Sequence, residues 1–189
     1  MLTKHVVRAA ASGALAIGLL TTAPTLDLPA QGAESAQRTQ SGQSGAAEQE
    51  RFARKKKKLS HRKRTARKIA TAFNIARKQK GDPYRYGASG PGAFDCSGLT
   101  YYSFRRAGFS NIPRTSSAQS RWTKRISRSH MRRGDLMFFH GRGGVYHVGI
   151  FAGAAQGRRY VLHAPSTGGR VRTERVWTDS WFPGTLRHR

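Results

Sequence analysis

The sequence predicts an α+β domain in which helices precede an antiparallel sheet, and three observations carry that prediction. A helical apolar period runs through Ala66, Ile69, Ala70, Phe73 and Ala76 or Arg77. A second helix start is marked by Asp95, a good N-cap residue, directly before Cys96. From Leu136 onward the chain turns to short apolar runs bounded by Gly and other turn-formers, the mark of core strands.

The elements follow in chain order. Residues 1–30 read as a secretory signal peptide, with Lys4, His5 and Arg8 as a basic start, an apolar run from Ala9 to Leu20, and small residues with Pro24 and Pro29 near the expected cleavage site. That run is too short for a membrane-spanning helix, which needs ~20 apolar residues, so no stable membrane span is expected. Residues 31–66 read as a disordered linker, because they hold too few large apolar side chains to offset the entropy of ordering. A basic tract begins there at Arg51 and ends at Lys68, with eleven Lys or Arg and no acid. Like charges this dense repel one another and stay solvated.

The folded domain is expected over residues 67–189. Its first helix ends at Gly81 and Pro83, and the loop from Tyr84 to Ala93 is dense in turn-formers. The helix that opens at Cys96 stops at Gly108, and a short helix capped by Thr115 or Ser116 follows. Strands are expected at residues 136–139, 146–151 and 160–164, with a loop over 152–159 and edge strands within 170–176 and 184–187.

Charge and composition then narrow the chemistry. A formal net charge of +26 calls for a polyanionic partner. Nucleic acid is not expected, since the tract lacks interleaved aromatics for base stacking and the leader directs it out of the cell. An anionic membrane and an acidic cell-wall polymer fit the charge alike; anionic polymer at the cell surface is the expected partner of the tract, with the protein secreted or wall-associated and monomeric. Residues 67–189 contain only five acids, Asp82, Asp95, Asp135, Glu174 and Asp179, which leaves little for paired-carboxylate glycosidase chemistry. With no HExxH or CxxC motif, neither a metal nor another cofactor is expected.

Cys96 is the sole cysteine, whereas exported proteins usually use cysteines in pairs. Such a residue is either a buried small hydrophobe or a working thiol. Its place at a helix start favours the thiolate, because the unpaired N–H groups and the macrodipole stabilise an anion. Candidate partners lie in the sheet. If the strands at 146–151 and 160–164 pair with His147 opposite His163, then Val148 faces Leu162 and Ile150 faces Tyr160. Cys96, His147 and His163 then have the pattern of nucleophile, base and orienting group. A strand-edge position for His147 and a core position for His163 fit the same residues. The remaining histidines, His5, His61, His130, His140 and His188, read as surface groups.

Asp95-Cys96-Ser97-Gly98-Leu99, with Tyr84-Arg85-Tyr86-Gly87 before it and Pro113-Arg114-Thr115-Ser116, Gly134-Asp135-Leu136-Met137-Phe138-Phe139, His147-Val148-Gly149-Ile150-Phe151 and Leu162-His163-Ala164-Pro165 after it, resembles the NlpC/p60-type family of papain-like cysteine peptidases that cut bacterial peptidoglycan stem peptides. The resemblance implies a papain-like fold with the nucleophile at a helix start packed on an antiparallel sheet. It implies Cys96 as nucleophile, His147 as base and His163 as third polar residue. It also implies Tyr84 beside the oxyanion, and Asp95 and Ser97 on the substrate side. The function implied is a secreted endopeptidase acting between D-glutamate and diaminopimelate. Relatives often carry a separate wall-binding module, and here the tract from Arg51 to Lys68 is the candidate substitute. Two other readings remain at this stage: a non-catalytic cationic wall-binding or antimicrobial protein, and a thiol amidase or acyltransferase.

Overall fold

The computed structural model describes residues 34–189, and the side chains from residue 45 onward. The expected signal peptide lies outside the described residues. Two compact units are distinguished, Met1–Ala46 and Ala47–Arg189; the described part of the first is the opening of helix α1.

Helix α1, Glu34–Lys78, covers most of what reads as a disordered, solvated linker. The physical reason is intrinsic: Ala, Gln, Glu, Lys and Arg are all strong helix formers, and the stretch contains no proline. Charge repulsion argues for solvation, which the helix satisfies, since its basic side chains stand in water. Among the described side chains of α1, those of its last turns alone form an apolar stripe. Thr65, Ile69, Ala72, Phe73 and Ala76 are buried, at spacings of four, three, one and three residues, while Ala66 and Ala70 face solvent. The true stripe is thus rotated from the one expected, and Thr65 anchors it by donating to the Arg189 carbonyl at 2.8 Å.

Helix α2, Cys96–Arg106, starts where Asp95 caps it, and helix α3, Ser116–Trp122, starts where the Thr115 hydroxyl accepts from Ala118 N–H. The strands are β1 Lys124–Arg125, β2 Leu136–Gly141, β3 Gly144–Ala155, β4 Arg158–His163, β5 Arg172–Arg175 and β6 Trp181–Thr185. They form one antiparallel sheet in the order β1-β6-β2-β3-β4-β5. The loop expected over residues 152–159 is instead a tight hairpin: β3 and β4 run on to Ala155 and Arg158, joined by Gln156 and Gly157 at φ 51° and 71°. Two consecutive left-handed residues match the twist of a two-residue hairpin.

Alternation along the strands divides the sheet into two faces. Leu136, Phe138, Val148, Ile150 and Leu162 pack against α1 and α2, where Ile69, Phe73, Leu99 and Phe104 complete the main core. Burying each of these large side chains contributes about 1.5–3 kcal/mol. Met137, Phe139, Phe151, Val161 and Trp181 make a smaller cluster on the other face. His147 and His163 lie among this second set. No helix among the described residues is long and apolar enough to cross a membrane.

Candidate active site

The site has two halves, a charged one built around the start of α2 and an aromatic one built on the sheet. In the first, the chain from Tyr84 to Phe94 folds back so that Asp95 N–H donates to the Ala88 carbonyl at 2.9 Å. The Asp95 carboxylate then accepts from Gly98 N–H at 2.6 Å, Gly87 N–H at 2.9 Å, the Ser97 hydroxyl at 3.2 Å, and Arg114 through Nη1 at 3.0 Å and Nη2 at 2.6 Å. Arg114 donates as well to Ser97 Oγ at 3.0 Å and to the Ala88 carbonyl at 3.2 Å. Burial alone would raise the Asp95 pKa, but the Arg114 and Gly98 hydrogen bonds outweigh it and hold the carboxyl below its usual range. Gly98 is required here by close approach: a Cβ at that position would collide with the Ala88 carbonyl oxygen. Asp95 and Ser97 are both buried, with their polar atoms committed to this network.

Cys96 occupies the first residue of α2 and is partly exposed. The backbone N–H groups of Val148, Ser97 and Cys96 itself lie near the sulfur and favour the anion. Burial is the larger effect, and with the nearby Asp95 charge it pushes the thiol pKa above its ordinary value. The expectation of a thiol held ionised by the helix start is therefore corrected: desolvation outweighs the backbone dipoles in the resting site. Proximity to the Val148 backbone sets the sulfur against β3 one residue along from His147. Tyr84 is half-buried, and its phenol is pushed up by burial first and then by Cys96 and Asp95, so it stays a hydrogen-bond donor beside the thiol.

On the sheet, His147 and His163 meet through His147 Nε2 and His163 Nδ1 at 2.7 Å. The register differs from the one expected. Ile150 pairs with Leu162, and a bulge between Phe151 and Gly153 separates that pairing from Gly153–Tyr160. Extending the pairing toward His163 sets Gly149, not His147, opposite it. A slip of two residues keeps the same face, so the histidines meet on the diagonal. Gly149 has no side chain to stand beside His163; a Cβ there would strike the Val161 side chain and lie 3.1 Å from His163 Cβ.

His163 is 1% exposed and its Nε2 lies 2.8 Å from Glu174 Oε1, while Arg172 Nε donates to Glu174 Oε2 at 2.6 Å. Trp177 stacks on Phe139, with centroids 4.4 Å apart, and on His163 at 5.3 Å, with its ring also against His147 at 5.9 Å. Burial drives the His147 pKa down to about 3, and the His163 charge adds to the effect. His163 is lowered too, chiefly by burial, although Glu174 opposes it. Both rings are neutral near pH 7, as an acceptor of a thiol proton must be.

The expected residues thus fall into two groups, with Tyr84, Asp95, Cys96 and Ser97 around the helix start and His147 with His163 on the sheet, and the two approach each other where Val148 follows His147 on β3. Glu174, Trp177 and Arg114 were not anticipated in these roles. Glu174 had one signal, its rarity as an acid in a cationic domain. Arg114 had its place in the Pro-Arg-Thr-Ser stretch. No three metal-ligating side chains converge among the described residues. A cavity of about 470 Å³ lies elsewhere, lined by His61, Arg64, Thr65, Lys68, Phe109 and Trp122 among others.

Known proteins resemble this chain in sequence and fold. Residues 81–189 match the family model described as NlpC/P60 family. A probable endopeptidase p60 of Listeria monocytogenes is 42% identical over 106 residues, covering 56% of this chain and 20% of that protein. The murein DD-endopeptidase MepH of Escherichia coli is 35% identical over 127 residues, covering 65% of this chain and 45% of that protein. The chain therefore spans about a fifth of the p60 protein and under half of MepH. Among solved structures, the NlpC/p60 domain of the peptidoglycan hydrolase SagA superposes with a TM-score of 0.56 at 32% identity, covering 62% of this chain and 98% of that one. By sequence and by fold, the chain belongs to the NlpC/P60 family of peptidoglycan hydrolases and endopeptidases.

Proposed function

We propose that this chain is a secreted cysteine endopeptidase that hydrolyses an amide bond in peptidoglycan stem peptides, between D-glutamate and diaminopimelate. The observation that carries the reading is the placement of Cys96 at the start of α2, near the backbone of Val148, which follows His147 on β3, with the His147 ring itself held by His163. As the sulfur attacks the scissile carbonyl, its proton passes to His147. The backbone N–H groups at the helix start and the Tyr84 hydroxyl are the donors available to the oxyanion. His147 then returns the proton to the leaving amine, which departs and leaves an acyl-thioester on Cys96. Water attacks the thioester with His147 again as base, and the carboxylic acid leaves as the thiol is restored.

The helical tract of residues 51–68 is the proposed wall-binding element, through long-range attraction to anionic polymer that salt screens over ~8 Å at physiological ionic strength. Digestion of purified sacculi followed by mass spectrometry tests the reading. Wild-type protein is expected to release fragments with a new D-glutamate carboxyl terminus, and Cys96→Ala none above background. Release by Cys96→Ala at the wild-type rate contradicts the mechanism. A new terminus at a D-alanine cross-link assigns the bond that the name of MepH indicates for that relative, and one at a sugar-linked lactyl group marks an amidase.

A further inference from the structure

We propose that Glu174 is a positioning residue that sets the tautomers of both histidines and so decides which nitrogen of His147 receives the thiol proton. The inference rests on the peptidase reading and adds a residue to it. A carboxylate can only accept hydrogen bonds, so the 2.8 Å contact with Glu174 Oε1 requires the proton of neutral His163 on Nε2. His163 Nδ1 is then a bare lone pair. Its 2.7 Å partner, His147 Nε2, must be the protonated nitrogen of that ring. What remains is His147 Nδ1, unprotonated and available to a thiol.

The strand geometry makes this chain of bonds a built feature. In the β4–β5 pairing His163 faces Arg172 and Val161 faces Glu174, so Arg172 and Glu174 emerge on the face that carries His163. Arg172 Nε holds Glu174 Oε2 at 2.6 Å, which aims the other oxygen at the imidazole. Burial favours the protonated carboxyl, but the Arg172 hydrogen bond and the His163 contact outweigh it and keep Glu174 ionised. Stacked Trp177 covers the His163 ring, which is 1% exposed. In a chain with nine acids against thirty-five Lys and Arg, an acid in this position is not background.

The proposal yields an inverted order of severity. In Glu174→Gln, the amide oxygen must face Arg172, which has only hydrogens to offer, so the amide NH₂ faces His163. His163 then accepts at Nε2, carries its proton on Nδ1, and forces the proton of His147 onto Nδ1, where it blocks the base. Glu174→Ala imposes neither tautomer. The expected kcat loss is therefore roughly a hundredfold or more for Glu174→Gln and roughly tenfold for Glu174→Ala, with KM little changed in either.

The test combines these rates with ¹⁵N NMR of the imidazole nitrogens in the intact protein near neutral pH, which needs no activity. In wild type the spectra are expected to show Nε2 protonated and Nδ1 bare in both rings, with the pattern reversed in Glu174→Gln. Wild-type His147 protonated at Nδ1 overturns the proposal, as does Glu174→Gln within twofold of wild type. So does Glu174→Ala as slow as Glu174→Gln when both retain the wild-type fold by circular dichroism. Full activity in Cys96→Ala would instead overturn the peptidase reading, and the tautomer assignment would stand or fall on the NMR alone.

Discussion

The tract of residues 51–68 and the domain it runs into are both crowded with cations, but they treat charge in opposite ways. Along the tract the basic side chains stand in water. Its ion pair among the described residues, Arg54 with Glu50 at 3.6 Å, joins two largely exposed groups of the kind that contributes ~0–1 kcal/mol. In the domain, three of the five acids are gripped by an arginine and a second donor. Asp95 holds Arg114 and caps α2. Asp135 accepts from Thr185 at 2.7 Å and Arg132 N–H at 2.7 Å beside Arg187. Glu174 holds Arg172 and His163. Where positive charge is everywhere, negative charge marks the places the structure specifies: a helix start, a sheet corner and a pair of imidazoles.

The largest effect that sharpens this contrast is expected from Arg114→Ala. It leaves the Asp95 carboxylate buried without its counter-ion, and unpaired buried charge is costly even after a discount for the partial exposure of Arg114. About 2–3 kcal/mol of stability is expected to be lost, visible as a fall in Tm of roughly 5–10 °C by calorimetry. A Tm within about 1 °C of wild type would show that the pair does not organise the helix start.

Neutralising the tract should do the reverse. Changing Lys55, Lys56, Lys57 and Lys58 to Gln keeps good helix formers in place and removes only charge. Retention on purified walls is expected to weaken severalfold at low salt and to lose much of its salt dependence, while cleavage of a soluble muropeptide stays within about twofold. An equal loss on both substrates would mean that the tract supports the domain and not its attachment.

Much of the fold is legible because its signals are local. Asp95 and Thr115 cap helices whose first turns lie beside them in sequence, and Leu136 to Phe139 is a strand that apolar content alone reveals. What escapes is non-local. The β3–β4 register depends on a bulge at Phe151 that no side chain announces, and a two-residue slip moves His147 from facing His163 to its diagonal. The length of α1 is hidden because a basic run satisfies both a solvated coil and a solvated helix. Glu174 sits in Arg172-Thr173-Glu174-Arg175, a polar edge strand whose purpose shows only when β4 is laid beside it. The aromatic cover is equally non-local, since Trp177 lies beyond β5 and reaches Phe139 of β2.

The thiol itself bears the sharpest test. Burial raises the Cys96 pKa and lowers that of His147 to about 3, so both groups are neutral at rest, and in the proposed mechanism the proton moves only as substrate is attacked. The pH dependence of Cys96 alkylation by iodoacetamide measures this directly. A neutral pair requires slow reaction at pH 6–7 and a rate still climbing as pH passes the ordinary thiol value of 9.0. Fast alkylation that holds level through the acid range would reveal a preformed thiolate–imidazolium pair and contradict it.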